Sequence, residues 1–354
     1  MLPPVDTDEQ WDVVVPDEAV MRPGVEELCR RLGLAGAPLD RFTEGTQPVY
    51  AVGDDLVLKL FPGAAADDGL VEERVLSHLQ GRLPVPTPRV HASGAYENGW
   101  RYVLMSRLPG DDLAAAWPRI PHADRERLVT EAGEALAALH ALDPGPLTDV
   151  LGPGDWGAFL DRQRAVAVRR QRKCGLPESW VEQIPGFLDA VPLRADAPPA
   201  LLHTEFMRQH LLVSPMGGDM SPVDTAGLVD PAGHSDPTSP TGHSGPDAPA
   251  RPLGGRPHLT GLFDFEPAMI GDPAYDFVGV GLFVTRAEPG LLGRFMRAYG
   301  RVFEPRELLA HTLLHVYSNL PWYLRELPAP PEPTLDALAE AWFDGSQATG
   351  IKVR

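Results

Sequence analysis

Two segments of this chain run from apolar residues into a set of acidic and imidazole side chains, and their internal spacing constrains the fold most strongly. The first segment spans residues 201–213 and the second spans 261–276. Their polar members are His203, Glu205 and His210 in the first, and Asp264, Glu266, Asp272 and Asp276 in the second. Each set follows a strand-like run, so we expect both sets to lie at strand ends.

The spacing of the first set is that of a kinase catalytic loop. Protein kinases carry H-R-D-x-x-x-x-N and, later in the chain, D-F-G. His203 stands at the position of the His, Glu205 at that of the Asp and His210 at that of the Asn. Asp264-Phe-Glu266 stands at D-F-G. Order and spacing fit the motif, whereas the residue types at 205 and 210 depart from it.

The chain therefore resembles the aminoglycoside phosphotransferase and choline-kinase-like branch of the kinase fold. That family reads H-G-D-x-x-x-x-N-x-L, then I-D-F-x-x-x-x-x-G-D-P-x-x-D, and Gly271-Asp-Pro-Ala-Tyr-Asp276 matches the end of the second motif. The resemblance runs from about Phe42 to Tyr323. It implies an α+β fold of two lobes: a small β-rich N-terminal lobe over residues 1–107 and a larger helical C-terminal lobe over 108–354.

Composition limits the classes of partner. A net charge of −18 argues against nucleic acid, because no basic stripe would neutralise its phosphates. The charge suits a cationic small substrate, although acidity for solubility alone is the commoner explanation. The sequence contains no run of about 18 apolar residues, so no membrane span is predicted. The acidic N-terminus and the distant Cys29 and Cys174 favour a reducing cytoplasm, and no obligate protein partner is indicated.

Apolar periodicity predicts the elements of both lobes. Strands are expected at residues 48–52, 56–61, 90–93 and 100–105, with a hairpin turn at Gly53-Asp-Asp, and helices at 17–34 and 69–83. Further helices are expected at 123–142, 155–172, 178–190, 291–303, 305–323 and 334–343. This is the pattern of a five-stranded lobe with a helix, followed by a helical lobe.

Residues 214–257 fit neither lobe. The segment is crowded with Pro, Gly, Ser, Asp and Thr, and it is far longer than usual loops. Such a composition buries too little surface to offset its ordering entropy. In the resembling family a short hairpin joins the flanking strands. We predict a disordered insertion here, with a functional lid as the alternative.

Lys59 is the predicted ligand of nucleotide phosphates. It lies in an apolar strand, where an ammonium needs an anionic partner, and kinases use a strand Lys paired with a helix Glu to hold the α- and β-phosphates. The alternative is an edge-strand Lys that points into water. Glu72 is the expected partner because it shares the apolar face of its helix. If Glu72 is not the partner of Lys59, Glu73 is the next candidate. The alternative is that both glutamates lie on a solvated face of the helix.

The resemblance implies the rest of an ATP site. Residues 43–48 take the place of the phosphate-covering turn, where Gly45 and Thr46 would direct backbone N–H groups at a phosphate. An ordinary turn explains these residues nearly as well. The hinge between the lobes, including Met105 and Arg107, would bind adenine through backbone groups.

Glu205 is the predicted general base, because phosphoryl transfer needs a carboxylate beside the acceptor hydroxyl. Glu is one methylene longer than Asp, so either the carboxylate or the substrate must sit slightly back. His203 is expected to pack beneath the catalytic loop and orient it. Its role would be structural within the catalytic site.

Asp264 is the best metal candidate, since the corresponding Asp of the resembling family bridges Mg²⁺ and the β- and γ-phosphates. Glu266 would add a carboxylate, as a ligand or beside one. Mg²⁺ prefers oxygen ligands and imidazole suits Mn²⁺ or Zn²⁺ better, so His210 leaves several interpretations open. These interpretations are that His210 binds Mn²⁺, that it hydrogen-bonds a phosphate, that it marks the loss of one metal site, or that it serves only in packing. Asp272 is expected to cap a helix, and the resemblance implies that Asp276 holds the catalytic loop.

Taken together, the residues predict an ATP-dependent O-phosphotransferase that acts with Mg²⁺ or Mn²⁺ on a small molecule with a free hydroxyl. We favour an antibiotic or its precursor as that molecule. Three alternatives remain open: a pseudokinase that binds nucleotide without transfer, a kinase of peptide Ser or Thr, and a metabolic sugar, cyclitol or amino-alcohol kinase.

Overall fold

Five strands near the N-terminus form one antiparallel sheet. The computed structural model describes residues 1–193, 198–214 and 256–345. The strands are β1 (Leu39–Arg41), β2 (Val49–Val52), β3 (Leu56–Phe61), β4 (Val90–Ala95) and β5 (Arg101–Ser106). Their order across the sheet is β1-β2-β3-β5-β4. The predicted hairpin is present, with Val52 opposite Leu56 at its tip.

Alternation along β3 sends its side chains into two separate cores. Leu58 and Leu60 pack with helices α1 (Asp8–Val14) and α2 (Glu18–Arg31), whereas Phe61 packs with helix α3 (Ala66–Leu79) on the other face. Residues two apart in a strand point the same way, so Lys59 shares the face of Phe61. The strand therefore directs the Lys59 side chain towards α3 and the protein interior.

The rest of the chain is mainly helical. Its helices are α4 (Leu113–Ala116), α5 (His122–His140), α6 (Trp156–Lys173), α7 (Glu178–Val181), α8 (Ile184–Ala190), α9 (Phe277–Gly279), α10 (Pro289–Tyr299), α11 (Pro305–Leu314), α12 (Leu320–Glu326) and α13 (Leu335–Phe343). Helix α9 runs on into a π-helical turn, Val280–Val284. A single large apolar cluster joins these helices to α3.

Five short strands support the polar loops of this helical part. They are β6 (Asp111–Asp112), β7 (Ala200–Leu202), β8 (Leu211–Ser214), β9 (His258–Leu262) and β10 (Met269–Gly271). Strands β6, β8 and β9 form one sheet, and β7 pairs with β10. The catalytic-loop motif leaves β7, and Asp264 follows the end of β9. The two polar segments of the sequence therefore meet at neighbouring strand ends.

Strands β8 and β9 are antiparallel neighbours, with Leu211 opposite Leu262 and Ser214 opposite His258. The segment predicted as a disordered insertion, 214–257, thus leaves and re-enters the fold at adjacent positions. Residues 215–255 lie outside the described part of the chain.

The α+β class predicted from the sequence is confirmed, and several elements differ from expectation. Helix α1 was not expected. The helices predicted at 178–190 and 305–323 are each divided in two, at Pro185 and before Pro321. Proline has no N–H for the preceding turn, so it begins a new helix rather than continuing one. Among the described helices, none combines the length and apolarity that crossing a membrane requires.

Candidate active site

Lys59 lies at the centre of a buried cluster of three carboxylates. Its side chain is 5% exposed, and its Nζ lies 3.3 Å from Glu72 Oε2 and 2.5 Å from Asp264 Oδ1. It also contacts the carboxylate of Glu266. Glu72 comes from α3 and is 1% exposed, as its place on the apolar face predicted. Strand, helix and the segment after β9 thus converge on one ammonium group.

Mutual interactions determine the protonation of this cluster. Burial on its own lowers the pKa of Lys59, but Asp264 and Glu72 outweigh it and raise that pKa, so the ammonium stays charged. Burial also opposes ionisation of Asp264, yet Lys59 and His210 hold its pKa below the ordinary range. One ammonium does not balance three carboxylates, and burial raises the pKa of Glu72. Between Asp264 and Glu72, Asp264 is therefore the carboxylate that stays ionised more firmly.

Asp276 holds the catalytic loop by its backbone. Its Oδ2 accepts the N–H of His203 at 2.8 Å and its Oδ1 accepts that of Thr204 at 2.6 Å, which are the bonds that the resemblance implied. His140 Nε2 donates to the same carboxylate at 2.9 Å, and the other ring nitrogen of His140 bonds the Tyr299 hydroxyl. The loop is therefore tied to α5 and α10 through one buried carboxylate.

His203 packs beneath the loop, the position expected for a structural role. Its ring is fully buried, and Nε2 donates to the Phe263 carbonyl oxygen at 3.0 Å. The ring also contacts Phe206 and Phe265. Burial, aided by the nearby His210, lowers the pKa of His203 to about 4, so the ring is neutral near pH 7. A neutral buried ring fits a positioning role rather than proton transfer.

His210 and Glu205 bring further ligand atoms to Asp264. His210 Nδ1 donates to the Glu205 carbonyl oxygen at 2.8 Å, and Nε2 lies 3.1 Å from Asp264 Oδ2. Nε2 therefore faces the Asp264 carboxylate. The ligand atoms of Glu205, His210 and Asp264 all lie within 4.8 Å of one another.

Asp264 is shared between two possible ligand groups. Glu72 and Glu266 also place carboxylate oxygens within 4.8 Å of it and of each other. All three members of that second group already contact the Lys59 ammonium. The group containing Glu205 and His210 shares only Asp264 with that ammonium among the described ion pairs. It is the better candidate for a divalent metal.

The remaining predicted residues lie further out. Gly45 and Thr46 are exposed in the turn between β1 and β2, and Gly45 has a φ of +89°. Met105 is buried in β5. The backbone N–H of Arg107 donates to the Asp55 carbonyl oxygen at 2.7 Å, so this donor is engaged within the protein. Met105 and Arg107 still mark the connection between the N-terminal sheet and β6.

A wall of aromatic and apolar residues lies beside Glu205, and sequence reasoning did not find it. The wall lines a small pocket with Thr204 and Glu205, and its members are Met207, Val278, Phe283, His315, Tyr317 and Tyr323. His315 Nε2 donates to the Thr204 carbonyl oxygen at 3.2 Å, which joins the wall to the loop. Burial lowers the pKa of His315 to about 4, so this ring is neutral near pH 7.

Known proteins place this arrangement in a family. The sequence profile of the phosphotransferase enzyme family matches residues 39–230 and 253–311, more than half of the chain. The chain belongs to this phosphotransferase enzyme family. The predicted resemblance is thereby confirmed, and the protein is a phosphotransferase with an alcohol group as acceptor. The unmatched residues 231–252 lie within the segment predicted as an insertion.

Solved phosphotransferases share the fold at low sequence identity. An aminoglycoside phosphotransferase in complex with GDP and kanamycin is 19% identical, with a TM-score of 0.61 over 84% of this chain and 89% of that chain. The type I macrolide 2′-phosphotransferase is 18% identical, with a TM-score of 0.55 over 94% and 97%. An aminoglycoside phosphotransferase in a ternary complex with streptomycin and ATP is 14% identical, with a TM-score of 0.52 over 91% and 98%. No curated protein sequence matches significantly.

These likenesses confirm the two-lobed, protein-kinase-like fold of this phosphotransferase. At such identities they say nothing about its acceptor. The family motif has Asp and Asn where this phosphotransferase has Glu205 and His210, so the roles of those two residues rest on the geometry described above.

Proposed function

We propose that this protein is an ATP-dependent kinase of a small hydroxylated molecule, and that the two lobes meet between residues 107 and 108. One observation carries the proposal: Lys59, Glu72 and Asp264 converge in a buried cluster whose far side is Glu205. An ammonium and a firmly ionised carboxylate suit a nucleotide that carries its own cation. The ATP and GDP bound to the phosphotransferases of the same fold support a nucleotide ligand.

A divalent metal would be held by Asp264 with His210, and by Glu266 at its edge. The oxygen ligands suit Mg²⁺, whereas an imidazole ligand favours Mn²⁺. When bound, such an ion neutralises charge on the transferred phosphoryl group. Lys59 would hold the nucleotide phosphates, with Glu72 fixing the ammonium in place. Gly45 and Thr46 would contribute backbone donors, and Met105 and Arg107 would flank the base.

Glu205 would orient the acceptor hydroxyl and accept its proton. His203 and Asp276 would fix the loop that carries it, so that the carboxylate keeps one position. The wall beside Glu205 is aromatic and apolar, which favours an acceptor with an apolar face next to its hydroxyl. An antibiotic or its precursor with such a face, as in a macrolide, fits better than a compact polycation.

The test measures nucleotide binding and phosphate transfer together. Lys59→Ala and Asp264→Asn should each weaken ATP binding by roughly 10- to 100-fold in calorimetry, because each removes a charge-assisted contact. Lys173→Ala, at the exposed end of α6, is the matched control and should bind as the wild type does. Unchanged affinity in both site variants would contradict the proposal.

Acceptor choice is tested by transfer of labelled phosphate to hydroxylated macrolides, aminoglycosides and cyclitols. Transfer to the macrolide class would support the apolar-face interpretation, and transfer to polycations alone would contradict it. Glu205→Gln keeps the side-chain size but removes the charge. It should lower kcat by roughly 10²- to 10⁴-fold with little change in ATP affinity.

A pseudokinase is the second candidate, and the close contact of His210 with Asp264 favours it, since that ring faces the metal-binding carboxylate. A pseudokinase would bind ATP, transfer phosphate to no acceptor and lose nothing in the Glu205→Gln variant. The transfer assay therefore separates the two candidates.

A further inference from the structure

A second cluster of metal-ligating side chains lies between α11 and the turn that precedes α9. Glu307 and His311 are four residues apart on α11 and so share one face of the helix. Asp272 caps the facing turn, Pro273–Tyr275. The ligand atoms of these three residues all lie within 4.8 Å of one another. None of them belongs to the active site described above.

Two members of this cluster are buried and carry polar atoms that have no hydrogen-bond partner within residues 1–193, 198–214 and 256–345. Asp272 is 1% exposed and His311 is 0% exposed. Asp272 Oδ1 accepts the Ala274 N–H at 3.0 Å, but its Oδ2 has no hydrogen-bond partner among the described residues. Both ring nitrogens of His311 also lack one there. Leaving such groups unsatisfied is costly, so a ligand that joins them would be strongly favoured.

Asp276 provides an internal comparison four residues further along the same segment. Its two oxygens accept two backbone N–H groups and a ring N–H of His140, so its charge is fully solvated by protein donors. Asp272 is equally buried and accepts a single backbone N–H. The difference points to a cation at Asp272.

His311 is in the form that a metal ion requires. Burial lowers its pKa to about 4, although the charge of Asp272 opposes that shift. The ring is neutral near pH 7 and offers a lone pair, and it does not serve as a cationic partner for Asp272. Glu307 also lines a surface cleft with Arg301, Glu304 and Glu340.

We propose that Asp272, Glu307 and His311 form a binding site for a divalent transition metal of the Zn²⁺ class. One imidazole nitrogen and two carboxylate oxygens are a common ligand set for such ions, with water completing the coordination. The site joins α11 to the turn that leads into Asp276. A bound ion therefore stabilises the support of the catalytic loop and takes no part in phosphate transfer.

The test uses the full chain, stripped of metal by dialysis against a chelator and titrated with Co²⁺ as a spectroscopic probe. The Asp264→Asn variant serves as the background, so that the active site contributes no metal signal. We expect about one equivalent of Co²⁺ with the absorption of a low-coordinate N/O site, and Zn²⁺ should displace it. Saturating Zn²⁺ should raise the Tm by about 5 °C.

Glu307→Gln and His311→Gln should abolish both the absorption and the Tm shift. Glu304→Gln, which alters the same cleft outside the cluster, should retain both. If His311→Gln does not fold, Glu307→Gln decides, because that side chain is only partly buried. Absence of Co²⁺ binding in the Asp264→Asn background, or equal binding by Glu307→Gln, would overturn the proposal.

Discussion

Thr204 and Asp264 hold left-handed backbone conformations, with φ of 72° and 74°. For residues with a side chain this conformation costs about 1–3 kcal/mol, and it persists where neighbours enforce it. Hydrogen bonds on both sides of Thr204 fix its backbone conformation, because its N–H donates to Asp276 and its carbonyl oxygen accepts from His315. The family motif has Gly at this position, the residue that adopts a positive φ without strain.

Thr204→Gly should therefore leave the free energy of unfolding unchanged or raise it by up to about 1 kcal/mol, since relief of strain opposes the greater chain entropy of Gly. Thr312→Gly is the control, because Thr312 is equally buried but lies inside α11. It should lose about 2 kcal/mol or more through a cavity and poor helix propensity. Urea unfolding of both variants checks this, and a comparable loss in each would show that Thr204 is not strained.

His210 is the residue at which the metal preference is set. Replacing it with Asn exchanges an imidazole nitrogen 3.1 Å from Asp264 for an amide, whose oxygen is a harder ligand. The ratio of kcat/KM with Mg²⁺ to kcat/KM with Mn²⁺ should rise about tenfold or more. A change of this size corresponds to the free energy of about one hydrogen bond to a charged group. His91→Asn, on β4 and exposed, is the control. An unchanged ratio in His210→Asn would assign His210 to packing.

At the scale of elements, the break between α11 and α12 builds the wall beside Glu205. Helix α11 ends before His315, and the segment that follows is held by the buried Gln171 of α6. The Oε1 of Gln171 accepts the Leu320 N–H at 2.9 Å, and its Nε2 donates to Ser318 Oγ at 2.8 Å. Gln183 makes the same kind of link far from the site, accepting the Leu335 N–H at 3.0 Å. Gln183 is only partly buried and serves as the comparison for Gln171.

Gln171→Leu should cost about 1–3 kcal/mol, because it leaves buried backbone groups without a partner. It should also raise the KM for the acceptor while the ATP affinity stays the same, since the wall moves and the Lys59 cluster does not. Gln183→Leu should reduce stability but leave the acceptor KM and the ATP affinity unchanged. Equal effects of the two variants on the acceptor KM would argue against a role of the break in acceptor binding.

The sequence predicted those parts of the site that depend on local pattern. Alternation in β3 and helical spacing in α3 correctly directed Lys59 and Glu72 to each other, and motif spacing brought Glu205, His210 and Asp264 together. The wall was not predicted, because its members come from several helices and only packing assembles them. Pro321 did mark the break before α12, but no local signal indicated that the break faces Glu205.

For the molecule as a whole, three buried neutral histidines govern stability in acid. Burial lowers the pKa of His203, His311 and His315 to about 4 in each case, from an ordinary value of 6.5. As the pH falls below about 6.5, these three histidines bind protons in the unfolded chain but stay neutral in the folded protein. Their contribution to stability is therefore complete above that pH and is lost progressively towards pH 4.

The free energy of unfolding should fall by about 1.4 kcal/mol per pH unit for each of these histidines between pH 6 and pH 4.5. Urea unfolding at a series of pH values gives the total slope. His315→Gln should reduce that slope by about 1.4 kcal/mol per unit, whatever it does to stability at pH 8. A slope identical to that of the wild type would show that His315 takes up its proton in the folded state.

The carboxylates around Lys59 imply that nucleotide entry is an exchange of counter-ions. A triphosphate that reaches the ammonium must displace Glu266 and Asp264 from it, and both acids then need a replacement cation. A nucleotide that arrives with its metal supplies one, whereas the free nucleotide adds negative charge to a cluster already rich in it. The protein would thus select the metal complex over the bare nucleotide before any chemistry begins, and the selection lies in its own acidic residues.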